Sequence, residues 1–127
     1  MNTKPLRETN GFTLIEILIA TVIITIVSLG ATSLTVGIMR GNSFSKRLTT
    51  AITLAQDRLE DVKRLGYTNV GTAAGTQNYG SIANFSGYKR VVTVTNDTPA
   101  VKMKTVNVTV SWDADKHSTQ ASTILSE

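Results

Sequence analysis

From Ile17 to Met39 the chain runs 23 residues without a charge. As an α-helix, at about 1.5 Å per residue, this stretch spans roughly 34 Å, enough to cross a hydrocarbon core of about 30 Å. Its length favours helix over strand, despite the wealth of Ile, Val and Thr. Glu16 aside, the apolar run reaches back to Phe12, 28 residues in all. After Arg40 the character changes to a polar body rich in Thr, Ser, Asn and Gly. The hydrophobic fraction of 41% is therefore an average over two unlike parts. A chain of 127 residues holds one domain and leaves no room for a large enzyme with a deep pocket. With no Cys, a disulfide framework is excluded, although the compartment is not thereby fixed. The net charge of +4 is dispersed, with no basic run that would argue for nucleic acid.

Residues 1–11 form a short polar leader, basic through Lys4 and Arg7. Three readings of the N-terminal segment compete. One is a cleaved secretory signal, for which Ser28-Leu29-Gly30 offers a poor small-x-small site and the apolar region is too long. Another is a plain single-span anchor. Neither accounts for Glu16. A carboxylate at the centre of a membrane helix costs about 2.5–3.5 kcal/mol, less near the interface, and is by default a functional residue with a partner. Charge does not orient the span, because Arg40, Lys46 and Arg47 follow it as closely as Lys4 and Arg7 precede it.

The third reading starts from the string Gly11-Phe12-Thr13-Leu14-Ile15-Glu16. It resembles the processing motif of type IV prepilins and type II secretion pseudopilins. The resemblance joins a short basic leader, a Gly, an aromatic residue and a Glu five residues past the cut, followed by an unbroken apolar helix. It implies that a prepilin peptidase in the membrane cleaves between Gly11 and Phe12 and methylates the new amine of Phe12. Glu16 would become the fifth residue of the mature chain. An i,i+4 spacing puts Glu16 one helical turn from the Phe12 amine, on one face. In a filament the carboxylate could pair with the amine of a neighbouring subunit. Burying it unpaired is very unfavourable, so it would act as a key to axial register more than as a source of stability. Many members of that family carry Pro in this helix. Here the only prolines are Pro5 and Pro99, and Gly30 and Gly37 lie in the span instead. Small residues of this kind let helices pack closely.

Beyond Met39 the helical period continues through residues 40–65. Phe44, Leu48, Ile52, Ala55, Leu59 and Val62 make an amphipathic stripe expected to pack on a sheet. Gly41-Asn42-Ser43 is a weak point, and Gly66 suits the residue just past the helix end. The stretch Leu54-Ala55-Gln56-Asp57-Arg58-Leu59-Glu60 resembles an Ala-Gln-x-x-Leu-Glu pattern of several minor pilins and minor pseudopilins, which tilts the reading toward a minor subunit. Residues 66–87, with five Gly, read as a loop that Tyr67, Tyr79, Ile82 and Phe85 tack down. Strands are expected at Tyr88–Thr95, at Val101–Trp112 and at Thr119–Leu125. The expected fold is α+β: a long N-terminal helix, membrane-spanning over 12–39 and amphipathic over 40–65, on a small antiparallel sheet within 88–125.

No catalytic constellation is present, so no enzyme activity, no cofactor and no metal is expected. His117 falls in a polar turn and reads as a solvent-exposed loop residue. Asp113 and Asp115, with Ser118, lack the ligand set of a cation loop. Lys89, Arg90, Lys102 and Lys104 would cluster if their strands paired, as a DNA-uptake pilin would need, but a solvated face is the favoured meaning. The expected role is a minor pilin or pseudopilin, held in the inner membrane with its leader cytoplasmic and its head periplasmic or extracellular. Its partners would be the prepilin peptidase, other pilin or pseudopilin subunits, an inner-membrane assembly platform and, before assembly, the lipid bilayer. The rivals are an exported or anchored binding module outside any filament, and a DNA-uptake subunit.

Overall fold

The computed structural model describes residues 11–127. Lys4, Arg7 and the rest of the leader to residue 10 lie outside the described residues. By its internal contacts the chain divides into two units, Met1–Gly41 and Asn42–Glu127.

Both units draw on one helix, α1 (Leu14–Asn69), whose backbone leaves helical geometry only at Gly66. Gly30, Gly37 and Gly41-Asn42-Ser43 all stay helical, so the expected weak point does not break the helix. In the first unit every Leu, Ile, Val and Met side chain from Leu14 to Met39 is exposed. So large an apolar surface calls for lipid or other helices around it. The hydroxyls of the span are bonded within the helix itself. Thr21 Oγ1 donates to the Leu18 carbonyl at 2.8 Å, Thr25 to Thr21 at 2.7 Å and Ser28 to Ile24 at 2.7 Å. Thr32 donates to Ser28 at 2.9 Å, Ser33 to Leu29 at 3.1 Å and Thr35 to Ala31 at 3.0 Å. Each hydroxyl reaches a carbonyl one turn back, as Ser and Thr do in helices.

In the second unit, α1 lies on a four-stranded antiparallel meander of β1 (Gly75–Gln77), β2 (Tyr88–Asn96), β3 (Met103–Trp112) and β4 (His117–Ser126), in that spatial order. Alternation along β3 turns Val106, Val108, Val110 and Trp112 into the core, each at most 2% exposed. Their partners on β2, in register, are Val94, Val92, Arg90 and Tyr88. The helix closes this face with Ala51, Leu54, Ala55, Leu59 and Val62, while Leu48 packs at its margin. This is the expected α+β layout of a long helix on an antiparallel sheet.

The stripe differs from expectation at one position. Ile52 is 40% exposed, whereas Ala51 and Leu54 are buried. At about 100° per residue, Phe44, Leu48, Ala55, Leu59 and Val62 cluster within a narrow arc, and Ile52 sits about 60° to one side of Ala55. On the other side Leu54 joins the buried core, and its carbonyl accepts a hydrogen bond from Arg90 of β2. Phe44 keeps to the arc but stands near the end of the sheet, 44% exposed, with its ring 6.2 Å from that of Trp112.

The segment 66–87 is more structured than its composition suggests. Gly66 takes φ +70°, a conformation that favours glycine, where the regular helix was expected to end. A 3-10 turn follows at Val70–Ala73 and buries Val70 and Ala73 in the core, with Ile82 further on. The strand β1 then pairs with β2, Thr76 opposite Val91 and Gln77 opposite Arg90. The expected loop therefore carries the sheet's edge. The three later strands all fall within two residues of their expected ends, the largest differences being the start of β3 at Met103 rather than Val101 and of β4 at His117 rather than Thr119.

Candidate functional site

The first turn of α1 is organised by Thr13. Its Oγ1 accepts a hydrogen bond from the Glu16 N–H at 3.3 Å, and its carbonyl accepts from Glu16 and Ile17 at 3.1 and 3.2 Å. Thr13 is thus the N-cap and Glu16 the third helical residue, in the spacing of a capping box. The Thr-x-x-Glu pattern was present in the sequence, and Thr13 is the one member of this site that the expectation passed over. The cap also shifts the expected geometry. Because the helix begins at Leu14, Phe12 lies before it rather than one turn below Glu16. Phe12 and Glu16 nevertheless line one surface hollow, together with Ile17, Ala20, Thr21 and Ile24. A carboxylate in the first turn also faces the positive end of the helix dipole, which favours its charge there.

The head holds no second site of the kinds expected from charge. Lys89 and Arg90 are neighbours on β2 and so face opposite sides of the sheet. Lys104 is opposite Asn96 at the other end of β2. The four basic residues therefore form no common patch, and each has its own partner. Lys89 Nζ donates to Asp115 at 2.8 Å, and Lys104 Nζ donates to the Tyr67 carbonyl at 2.9 Å while lying over the Tyr67 ring. Lys102 pairs with Glu127 at 2.9 Å. Arg90 is turned into the core face, where its guanidinium donates to Gln77 Oε1 and to the Leu54 carbonyl. No basic surface for DNA is brought together by the sheet.

Asp113 and Asp115 occupy the turn between β3 and β4, where Asp113, Ala114 and Asp115 all have positive φ. Asp115 accepts from Lys89 and from the Tyr79 hydroxyl, and its own N–H donates to that hydroxyl at 2.9 Å. The Lys89 hydrogen bond holds the Asp115 carboxyl below its ordinary range, and the same bond raises Lys89. Asp113 lies 4.0 Å from Arg47 and 3.9 Å from His117. Among the described residues no three His, Cys, Asp or Glu side chains are grouped to hold a metal ion. His117 is not in a loop: it opens β4 opposite Trp112, with its ring 5.2 Å from Phe44 and 5.6 Å from Trp112. Tyr88 adds its ring 6.5 Å from Trp112 and donates its hydroxyl to the Arg47 carbonyl. The signal missed for His117 was register, since it pairs with the aromatic end of β3. A hollow of about 440 Å³ beside this cluster is lined by Arg47, Tyr79, Tyr88, Trp112 and Asp113, and its charged walls already pair with each other.

A membrane-length helix that opens at a capped turn with one carboxylate, followed by a helix-on-meander head, has the layout of a pilin-like protein. Residues 6–32 match the prokaryotic N-terminal methylation motif, so the chain carries the signature of type IV pilins and pseudopilins. The motif covers Gly11, Phe12 and Glu16, and it implies processing by prepilin peptidase and assembly with other pilin subunits. The long apolar helix is consistent with anchoring in a membrane. No curated protein and no solved structure matches this chain.

Proposed function

We propose that the chain is a minor subunit of a type IV pilus or a related pseudopilus, with a role in assembly rather than catalysis. The observation that carries this reading is the methylation motif, with Gly11-Phe12 at the junction of leader and helix and Glu16 in the helix's first turn. In this reading the peptidase cuts after Gly11 and methylates Phe12, with the leader in the cytoplasm and the head beyond the inner membrane. The subunit then leaves lipid for the filament with the help of an inner-membrane assembly platform. Thr13 becomes the second residue of the mature chain and still caps the helix, so processing leaves the first turn in place. Glu16 carries a charge that lipid disfavours and that a neighbouring subunit's amine satisfies, which ties uptake into the filament to a single axial register. The Ala55–Glu60 pattern supports a minor rather than a major subunit.

The test is intact mass and N-terminal sequencing of the protein purified from its native membrane. The expected chain begins at N-methyl-Phe12. A chain beginning near Thr32, or an intact Met1 in a host with active prepilin peptidase, would overturn the reading in favour of an exported or anchored binding module. Replacing Gly11 with a bulkier residue is expected to leave the leader attached.

A further inference from the structure

The sheet places an arginine where its pattern calls for an apolar residue. On β2, Tyr88, Val92 and Val94 share a face with Arg90, and Arg90 sits opposite the fully buried Val110. Across from it the helix presents Arg58, also half-buried. The two arginines line one open-sided cavity of about 200 Å³, together with Gln77, Val92 and residues 72–76. Among the described residues neither guanidinium has a carboxylate oxygen within 4.0 Å. Arg58 depresses the basicity of Arg90, second only to burial, while Asp61 and Asp57 oppose this from a distance. The Nε of Arg58 is buried with no hydrogen-bond partner, although its Nη2 reaches the Ala73 carbonyl at 3.4 Å.

Two like charges lining one cavity, with no carboxylate oxygen within 4.0 Å of either, repel each other. A bound anion offsets that repulsion. We propose that the cavity between Arg58 and Arg90 is a carboxylate-binding site. The donor set selects the ligand class. Three N–H groups of Arg90 are already committed to Gln77 and Leu54, which leaves the remaining terminal N–H groups of Arg58 as the main free donors. A planar two-oxygen group matches a guanidinium fork in bidentate fashion. The site lies wholly within the second unit, so the carboxylate reaches it either free in solution or on the side chain of another protein, and it does not depend on the assembly role proposed above.

The experiment uses the full chain, labelled with ¹⁵N-arginine, in dodecyl maltoside micelles without phosphate. The Arg58 Nε–H resonance, assigned by its loss in Arg58→Lys, is followed as sodium acetate is added and compared with sodium chloride at equal ionic strength. N-acetyl-glutamate amide is titrated in parallel as a stand-in for a polypeptide side chain. The resonance is expected to move saturably with either carboxylate and not with chloride. Tighter binding of the glutamate derivative indicates a protein-borne ligand, and equal binding indicates a free one. Arg90→Gln is expected to weaken the response at least tenfold, with Trp112 emission confirming an intact head. Identical responses to acetate and chloride in the unaltered chain overturn the proposal, whatever the variants do. An undiminished acetate response in a folded Arg90→Gln chain overturns it as well.

Discussion

The helix meets the sheet along a line that two neighbouring residues can locate. Leu54 is 5% exposed and Ile52 is 40% exposed, although the two are two positions apart on α1. Truncating a buried Leu to Ala costs about 2–5 kcal/mol, part transfer free energy and part cavity. Taking about 3 kcal/mol, and about 4–8 °C per kcal/mol for a domain the size of the head, Leu54→Ala should lower the melting midpoint by about 12–24 °C. Ile52→Ala removes three carbons worth about 0.8 kcal/mol each when fully buried. Scaling by the covered part of Ile52, and allowing about 0.4 kcal/mol for the better helix propensity of Ala, leaves about 1 kcal/mol. That corresponds to a shift of about 4–8 °C. The assay is thermal unfolding of the full chain in micelles, followed through the emission of Trp112, which is the only tryptophan and 2% exposed. If Ile52→Ala destabilises as much as Leu54→Ala or more, the helix presents a different face to the sheet and the packing described above is wrong.

Further outcomes are expected. Glu16→Ala should be processed normally at Gly11 yet be depleted from filaments; unchanged subunit content in purified filaments would refute the register role. Gly66→Ala places a Cβ on a residue at φ +70° and should cost upward of about 1 kcal/mol, seen as a lowered midpoint in the same melt. The depressed pKa of Asp115 means that its pairing with Lys89 stabilises the head above the unfolded carboxylate pKa of about 3.9. That contribution disappears as pH falls below the unfolded value and through the lower folded one, so Asp115→Asn should flatten the acid limb of a stability-against-pH curve. A curve with an unchanged acid limb would show that the pair contributes nothing to folding.

The strands were legible where side chains alternate with the period of the backbone. Val106, Val108, Val110 and Trp112 announce β3 because a period of two assigns each to the buried face. The edge strand Gly75–Gln77 carries no such signal: three residues, one of them Gly, join the sheet through backbone hydrogen bonds that any sequence can make. Ile52 was misplaced because steps of four accumulate about 40° each, so a run of them walks off the face that a mixture of threes and fours would hold. Arg90 was read as a surface base because charge usually stays in water, and only the register with Val110 reveals that it points inward. At the N-terminus the motif was legible, because it is local: Gly11, Phe12 and Glu16 lie within six residues of one another and fall inside the matched segment 6–32. The paired arginines were not legible, since 32 positions separate Arg58 from Arg90.

The hydroxyl bonds within the first part of α1 bear on how such a helix changes surroundings. All six Ser and Thr side chains between Leu14 and Met39 spend their donor on their own backbone. None of them needs a new partner when lipid tails give way to neighbouring helices, and none is stranded when they return. The hydroxyls therefore add little of their own to the cost of such a transfer. In the proposed assembly role, what selects a neighbour would then rest on the first turn, with its single carboxylate at Glu16.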